Sequence, residues 1–475
     1  MKSTMFANTA EAVRRPVVFA TMLASVTTRV NFPRSGQKLM ILIGIALAGQ
    51  IHAQDAVQEF VPHKVFIQRT AAAHTAELLA RPGTRARNAE ALEEMRRHIL
   101  TMYQGMDVNH SFVLDGQHFD CVPIDQQPSV RLLGFKVEQT PPDALLSSEP
   151  DPNGAAPVSQ QLGPAEQVDQ FGNSTRCEDG TIPMQRITLE EMSRFETLQQ
   201  FFAKDRGRAR SEAGPQKPAL IGAFDHEWVQ AFQYVNNLGG QSILSVASPY
   251  VDPNPRSINM TLSQQWYVGW NPGNVMQTAE AGWQIQPNFK INNTPEGQGP
   301  FLFIYWTADD YNKTGCYNLI CVGFVQKNNA WYLGGHLTPG AELQVHYQLI
   351  NGAWWLALNH QWIGYYPVSV YNGGQMSRYA QEIAFGGEIA TIPGTTPLFP
   401  PMGTGAWGSS GYLGGAAYQR YVSYYDLSGK WLWPSTLNSN VTAPKCYTIG
   451  GPANASDNYW GWYFFFGGPG GSGCV

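Results

Sequence analysis

Two glutamates hold the positions best suited to chemistry. Glu280 opens Glu280-Ala281-Gly282-Trp283, and Glu388 closes Phe385-Gly386-Gly387-Glu388, 108 positions further on. Both sit in aromatic, β-like sequence that is almost free of charge. If 278–286 is a strand, Glu280, Gly282, Gln284 and Gln286 share one face while Ala281, Trp283 and Ile285 share the other. If 381–391 is a strand, Glu382, Ala384, Gly386, Glu388 and Ala390 share a face, opposed by Ile383, Phe385 and Ile389. Each glutamate thus falls on the smaller, more polar face. Gly282 and Gly386 leave room there for another chain to approach, which suits an open groove floored by carboxylates. Two close carboxylates do not both ionise cheaply. One keeps its proton and serves as an acid, and the other takes a proton from water. Such a pair can hydrolyse a peptide bond, best at acidic pH. The plainer reading, two solvated strand residues, stands beside it, and on composition alone Glu296, Asp309, Asp310, Glu342 and Glu382 are equally nameable.

Other constellations have less support. His226, His336, His346 and His360 belong to no metal motif and read as structural. Gly408-Ser409-Ser410-Gly411 lacks the Gly-x-Ser-x-Gly spacing of a serine nucleophile. Residues 403–408 match Gly-x-Gly-x-x-Gly, but no strand–helix–strand context surrounds them. The tryptophans suit either a core or a cleft for sugars or proline. No metal and no cofactor are expected.

The elements that must position these residues divide the 475-residue chain unevenly. Residues 215–475 hold 21 charged side chains in 261 positions, whereas the first 214 hold 46, and all 14 tryptophans follow position 215. Two segments this different point to two domains. The net charge of −5 gives no basic surface for nucleic acid. Residues 39–49 form an apolar run after Arg29, Arg34 and Lys38, with a cleavage-like site at Ile51-His52-Ala53. That is the pattern of a secretory signal, so residues 1–53 read as a targeting segment and the product as secreted or periplasmic, with no membrane contact after signal removal. Residues 54–213 read as a smaller α+β domain. It has a helix over 86–104, a loop over 141–170, and a capping box at Thr188–Glu191 opening a helix through about Phe202. Lys204-Asp205-Arg206-Gly207-Arg208, with Pro215 and Pro218 beyond, reads as a linker open to proteolysis. From 219 on, short β-branched and aromatic runs between Gly, Pro and Asn turns predict an antiparallel β-sandwich over 214–475. Six cysteines in an exported chain suggest disulfides. Each region can close its own pairs, and Cys121–Cys177, Cys316–Cys321 and Cys446–Cys474 are the preferred set, although spacing alone leaves connectivity open.

Residues 301–326, from Phe301-Leu302-Phe303 through Cys316 and Cys321 to Gln326, closely resemble the signature of the neprosin family of glutamic peptidases. So do Leu262-Ser263-Gln264-Gln265-Trp266, Glu280-Ala281-Gly282-Trp283, Trp354-Trp355, residues 363–367, Gly386-Gly387-Glu388, residues 402–405 and residues 467–474. The stretches 119–123, 126–129 and 177–186 are similar to the family's activation region. The resemblance implies a secreted zymogen whose pro-domain is an intramolecular inhibitor, a β-sandwich catalytic domain, and cleavage after proline under acid conditions. It carries the family's catalytic glutamates onto Glu280 and Glu388. Gln264 is the candidate oxyanion donor, with Trp283 and Tyr305 as candidate substrate contacts. Phe385 and Tyr366 depart from the family's usual tryptophans at those positions. The sequence therefore predicts a mainly β glutamic endopeptidase acting on proline-containing peptides. It is activated in acid by cleavage near 204–218, with Pro215 and Pro218 as self-cleavage points. The rivals are a glycoside hydrolase using the same pair and a non-catalytic carbohydrate- or protein-binding sandwich.

Overall fold

A computed structural model describes residues 59–146, 167–202, 204, 225–252, 259–287, 299–391, 398–455 and 459–474. The apolar run, its cleavage-like site, Pro215, Pro218, Glu296 and most of the expected 141–170 loop lie outside the described residues.

The N-terminal part is α+β. Its helices are α1 (His63–Ala71), α2 (Thr75–Leu79), α3 (Ala89–Tyr103), α4 (Pro128–Leu133), α5 (Leu189–Met192) and α6 (Leu198–Phe202). Strands β1 (His110–Leu114), β2 (Gln117–Pro123) and β3 (Thr181–Gln185) form a small antiparallel sheet. Helix α3 starts where the Asn88 side chain accepts from Ala91 N (2.9 Å), and it buries Leu92, Met95, Ile99 and Met102 at helical spacing. The capping box at Thr188 and Glu191 forms as expected, but the helix it opens stops at Met192 rather than running to Phe202. Segment 85–87 takes the carbonyls a longer helix would need. Ser193 O accepts from Arg85 N and Ala86 N (2.8 and 3.0 Å), and Glu196 O accepts from Arg87 N (3.0 Å). A separate helix, α6, then brings the chain to Lys204.

A buried charge cluster ties this part together. Asp120 on β2 accepts from Arg186, from Ser111 Oγ (2.6 Å) and from His63 Nδ1 (3.0 Å). Burial opposes its charge, but Arg186 and His63 outweigh burial and hold the carboxyl well below the usual carboxylate range.

The remaining strands are β4 (Asp225–Ser245), β5 (Met260–Asn271), β6 (Val275–Ile285), β7 (Phe301–Thr307), β8 (Val325–Gln326), β9 (Glu342–Ile350), β10 (Ala353–Leu358), β11 (Gln361–Pro367), β12 (Ala380–Thr391), β13 (Ala417–Asp426), β14 (Trp431–Leu432), β15 (Asn438–Val441), β16 (Thr448–Asn454) and β17 (Trp462–Gly467). They form one antiparallel sheet, fourteen-stranded among the described residues, whose longest path runs β7-β6-β5-β12-β4-β9-β10-β11-β8.

The sheet curls on itself through β4. Residues 225–237 of β4 pair with β12, and residues 239–245 pair with β9. The turn between them is braced by Asn237, whose Oδ1 accepts from Gly239 N (3.1 Å) and whose Nδ2 donates to Val235 O (2.9 Å). The two halves then face each other. Tyr347 Oη donates to Glu280 O (3.1 Å), Gln265 Nε2 to Val345 O (2.9 Å), and Trp283 Nε1 to Ser245 O (2.9 Å). The odd-numbered side chains of β5, β6 and β12 fill the core between the halves, leaving the even-numbered face of those strands to carry the site.

Both parts belong to one compact unit, Gln58–Val475. Gln127 and Gln326 exchange two bonds, Gln326 N to Gln127 Oε1 (2.8 Å) and Gln127 Nε2 to Gln326 O (3.0 Å). Gly323 N donates to Ser129 Oγ (2.9 Å), and Asn329 Nδ2 to Cys177 O (3.0 Å). Disulfides join Cys121–Cys177, Cys316–Cys321 and Cys446–Cys474.

Candidate active site

Strand register brings the two glutamates onto one face. On β6, Glu280 pairs with Trp266 of β5 and Tyr305 of β7; on β12, Glu388 pairs with Leu262 of β5. Directly paired residues project to the same side of a sheet. Gln264, on β5 between them, pairs with Gly282 on one side and Gly386 on the other.

The glycines serve a different purpose from the one expected. A Cβ on Gly282 would lie 2.0 Å from Ser263 O, and one on Gly386, where φ is +153°, would lie 2.1 Å from Val229 O. They admit the neighbouring strands of the same sheet, not an incoming chain. Flanked by them, the Gln264 side chain stands between the two carboxylates.

The space between the carboxylates is filled by the upstream chain. Lys204 Nζ contacts Glu280 Oε2 and lies 2.9 Å from Gln264 Oε1 and 3.3 Å from Glu388 Oε2. The rings of Trp266, Phe303 and Tyr305 surround the ammonium at 5.6–5.9 Å from their centroids. All three charged residues are nearly sealed from water: Glu280 is 0 % exposed, Glu388 3 % and Lys204 4 %. Charges so buried persist only when paired. Helix α6 delivers the lysine, since Phe202 O accepts from Tyr305 Oη (3.2 Å) and Lys204 N donates to Tyr305 Oη (3.4 Å).

Each glutamate has further partners. Glu280 Oε1 accepts from Thr278 Oγ1 (2.7 Å) and Tyr311 Oη (2.5 Å). Glu388 accepts from His226 Nδ1 at Oε1 and from Gln264 Nε2 at Oε2 (3.4 Å). Burial pushes the Glu388 carboxyl up, but the Lys204 ammonium and His226 outweigh it, and the net direction is down. Burial first, then the charge of Glu280, raises the Tyr311 phenol well above its ordinary value, so it stays a donor.

Of the residues singled out in the sequence, Glu280, Glu388, Gln264 and Tyr305 converge here. Trp283 does not. It is fully buried on the opposite face with its indole N–H on Ser245 O, a core residue turned away from the carboxylates.

The other acids lie elsewhere. Glu342 is buried against Arg420 (2.6 Å), and Asp309 ties a loop. Glu382, two residues from Ala384 along the same face, is pushed up to about 7 by burial and accepts from Trp270 Nε1 (3.3 Å). His346 is a buried structural residue bonded to Gln348 (3.3 Å).

Sequence reasoning missed four residues of the site: Lys204, His226, Thr278 and Tyr311. Only Thr278 carried a signal, standing two positions before Glu280 on the same strand face.

The fold and site define a mainly β protein with two buried carboxylates gathered on one sheet face around a lysine from the preceding segment. Residues 258–469 match the family model described as Neprosin, so the chain carries a Neprosin domain over that span. The match supports a peptidase. Among solved structures, scytalido-glutamic peptidase with a transition state analog inhibitor is similar at 8 % identity over 51 % of this chain and 98 % of that one, with a TM-score of 0.26. Sheep galectin-11 in complex with glycerol is similar at 9 % identity over 38 % of this chain and 97 % of that one, with a TM-score of 0.16. Likenesses this slight bear on neither the fold nor the chemistry.

Proposed function

We propose that this protein is an exported glutamic endopeptidase made as a latent precursor, with Glu280 and Glu388 as its catalytic pair and the segment ending at Lys204 as its inhibitor. One observation carries the reading: two buried carboxylates and the Gln264 amide converge on a single ammonium supplied from upstream of the sheet.

The ammonium occupies the place that a water molecule and a scissile carbonyl need. Once Lys204 leaves, Glu388 keeps its bonds from His226 and Gln264 but loses the neighbouring ammonium charge, a change toward the protonated form. One carboxylate then takes a proton from water as its oxygen attacks the carbonyl carbon. The protonated partner gives its proton to the carbonyl oxygen as the tetrahedral diol forms; on collapse the proton taken from water passes to the departing amine as the C–N bond breaks, and a diol hydroxyl returns its proton to the partner carboxylate. In this reading Gln264 Nε2 donates to the carbonyl oxygen as negative charge develops on it. Activity in acid follows, because one member of the pair must hold a proton. Preference for cleavage after proline rests on the family resemblance. Export is supported by the three disulfides, and no described helix is long and apolar enough to cross a membrane.

The test incubates acid-treated precursor with a proline-rich protein, beside Glu280→Gln and Glu388→Gln, and reads the cut sites by mass spectrometry. Cuts after proline are expected from the parent and from neither variant. Cleavage that survives in either variant overturns the pair, and cleavage of glycans but not peptides turns the reading to a glycoside hydrolase.

A further inference from the structure

The loop after β7 holds two successive residues in an uncommon backbone conformation. Asp310 and Tyr311 stand in succession at φ +60° and +54°. This left-handed region is uncommon for any residue with a Cβ, and an outlier for a bulky one. Surrounding bonds hold the backbone there. Asp309 accepts from Lys313 N (2.9 Å), Asn312 N (3.1 Å), Thr314 N (3.1 Å) and Thr314 Oγ1 (2.7 Å). Thr307 Oγ1 accepts from Tyr311 N (2.9 Å), and Asp310 N donates to Met276 O (2.9 Å). The Cys316–Cys321 disulfide follows directly. What this bracing produces is the approach of Tyr311 Oη to Glu280 Oε1 at 2.5 Å. Strained backbone held by such over-determination collects at functional sites.

Resting on the proposed peptidase reading, we infer that Tyr311 is a positioning residue that fixes Glu280 as the base of the pair and thereby leaves Glu388 as the acid. With Tyr311 and Thr278 both donating to Oε1, that oxygen has no room for a proton, and Oε2 is the atom turned toward the Lys204 site. The phenol keeps its own proton at every working pH, because burial and the neighbouring carboxylate hold its ionisation far above neutral. The groups around Glu280 are Thr278 on its own strand, Gln264 on β5, Tyr305 on β7, Tyr311 and Tyr317 beyond β7, Tyr347 on β9, Tyr366 on β11, Tyr371 after β11, Lys204 from upstream, and Glu388 across the lysine. Once the lysine departs, Tyr311 and Thr278 are the donors among them that already bond this carboxylate. Asp309 acts at one remove, by holding the loop.

The test compares Tyr311→Phe, Thr278→Val and Glu280→Gln in acid-matured enzyme, with kcat and KM on a proline-containing peptide across pH and with melting temperature. A hydrogen bond to a charged group lost in Tyr311→Phe predicts a fall in kcat of about 10- to 100-fold with KM little changed. Because donors favour the charged form of their acceptor, the acid limb of the profile is expected to move to higher pH, and Thr278→Val is expected to move it the same way. A purely structural role would lower the melting temperature and leave the limb in place. If Glu280→Gln is dead while Tyr311→Phe and Thr278→Val keep the parent's kcat and acid limb, this inference is wrong and the catalytic pair stands. An active Glu280→Gln removes the pair and this inference together. If Tyr311→Phe does not fold, the limb of Thr278→Val decides.

Discussion

A lysine ammonium 4 % exposed between two carboxylates is a costly thing to build. Removing one member of a buried ion cluster typically costs about 3–5 kcal/mol, because its partners are left charged and dry. Lys204→Met keeps most of the stem and the contact with Trp266, Phe303 and Tyr305 but deletes the charge. The precursor of this variant is expected to cleave peptide under conditions where the parent precursor is silent, and a silent variant with an unchanged onset in acid counts against Lys204 as the inhibitor. At this scale the sequence was half legible. Strand parity put Glu280 and Glu388 on polar faces, and the register of β6 and β12 against β5 places them on one sheet face. Lys204 and His226 were not legible, because each meets the site across 76 and 162 positions respectively and neither sits in a pattern with a period. Lys204 in particular read as part of a solvated linker, since nothing in a run of basic residues marks which of them is to be buried.

Among the elements, β2 and its neighbours carry the more acid-resistant charge cluster. The Asp120 carboxyl is held far below its usual range by Arg186 and His63, with burial working against them. A depressed carboxyl contributes stability that is complete above its unfolded value and is lost only as pH falls through the folded one. The N-terminal fold should therefore survive mild acid. Asp120→Asn is expected to remove about 3–5 kcal/mol from that fold, read as a lower melting temperature of the precursor; an unchanged melting temperature would contradict it. Glu388 follows the same sign. Its carboxyl is lowered by Lys204 and His226 against burial, so the contact is complete above the ordinary glutamate value of about 4.3 and is lost as pH falls from there through the lower folded value. Amide protection over 198–204 in hydrogen exchange is expected to fall as the pH drops below that value, and protection flat from neutral to about pH 3 would refute the link. Helix α3 was legible from its spacing and Asn88 cap. The early end of α5 was not, because it depends on carbonyls taken by segment 85–87, a contact with no local signature.

For the whole molecule, the composition break marked the change from α+β to β architecture, and the turn-rich, aromatic second half foretold the antiparallel sheet. The sequence did not show that one strand serves both halves. β4 is one strand of 21 residues, and Asn237 braces the place where its pairing passes from β12 to β9. That strand has a consequence for latency. The chain leaves the site at Lys204 and returns to it at His226, the second residue of β4, whose ring contacts Glu388. Both ends of the intervening segment are thus fastened to the same carboxylate. While that segment is intact, an ammonium displaced by acid stays at a high effective concentration and rebinds when the medium is neutralised. Under the proposed latency, opening by acid is then reversible, and a single cut between Lys204 and His226 is expected to make it a one-way step by turning an intramolecular partner into a separate one.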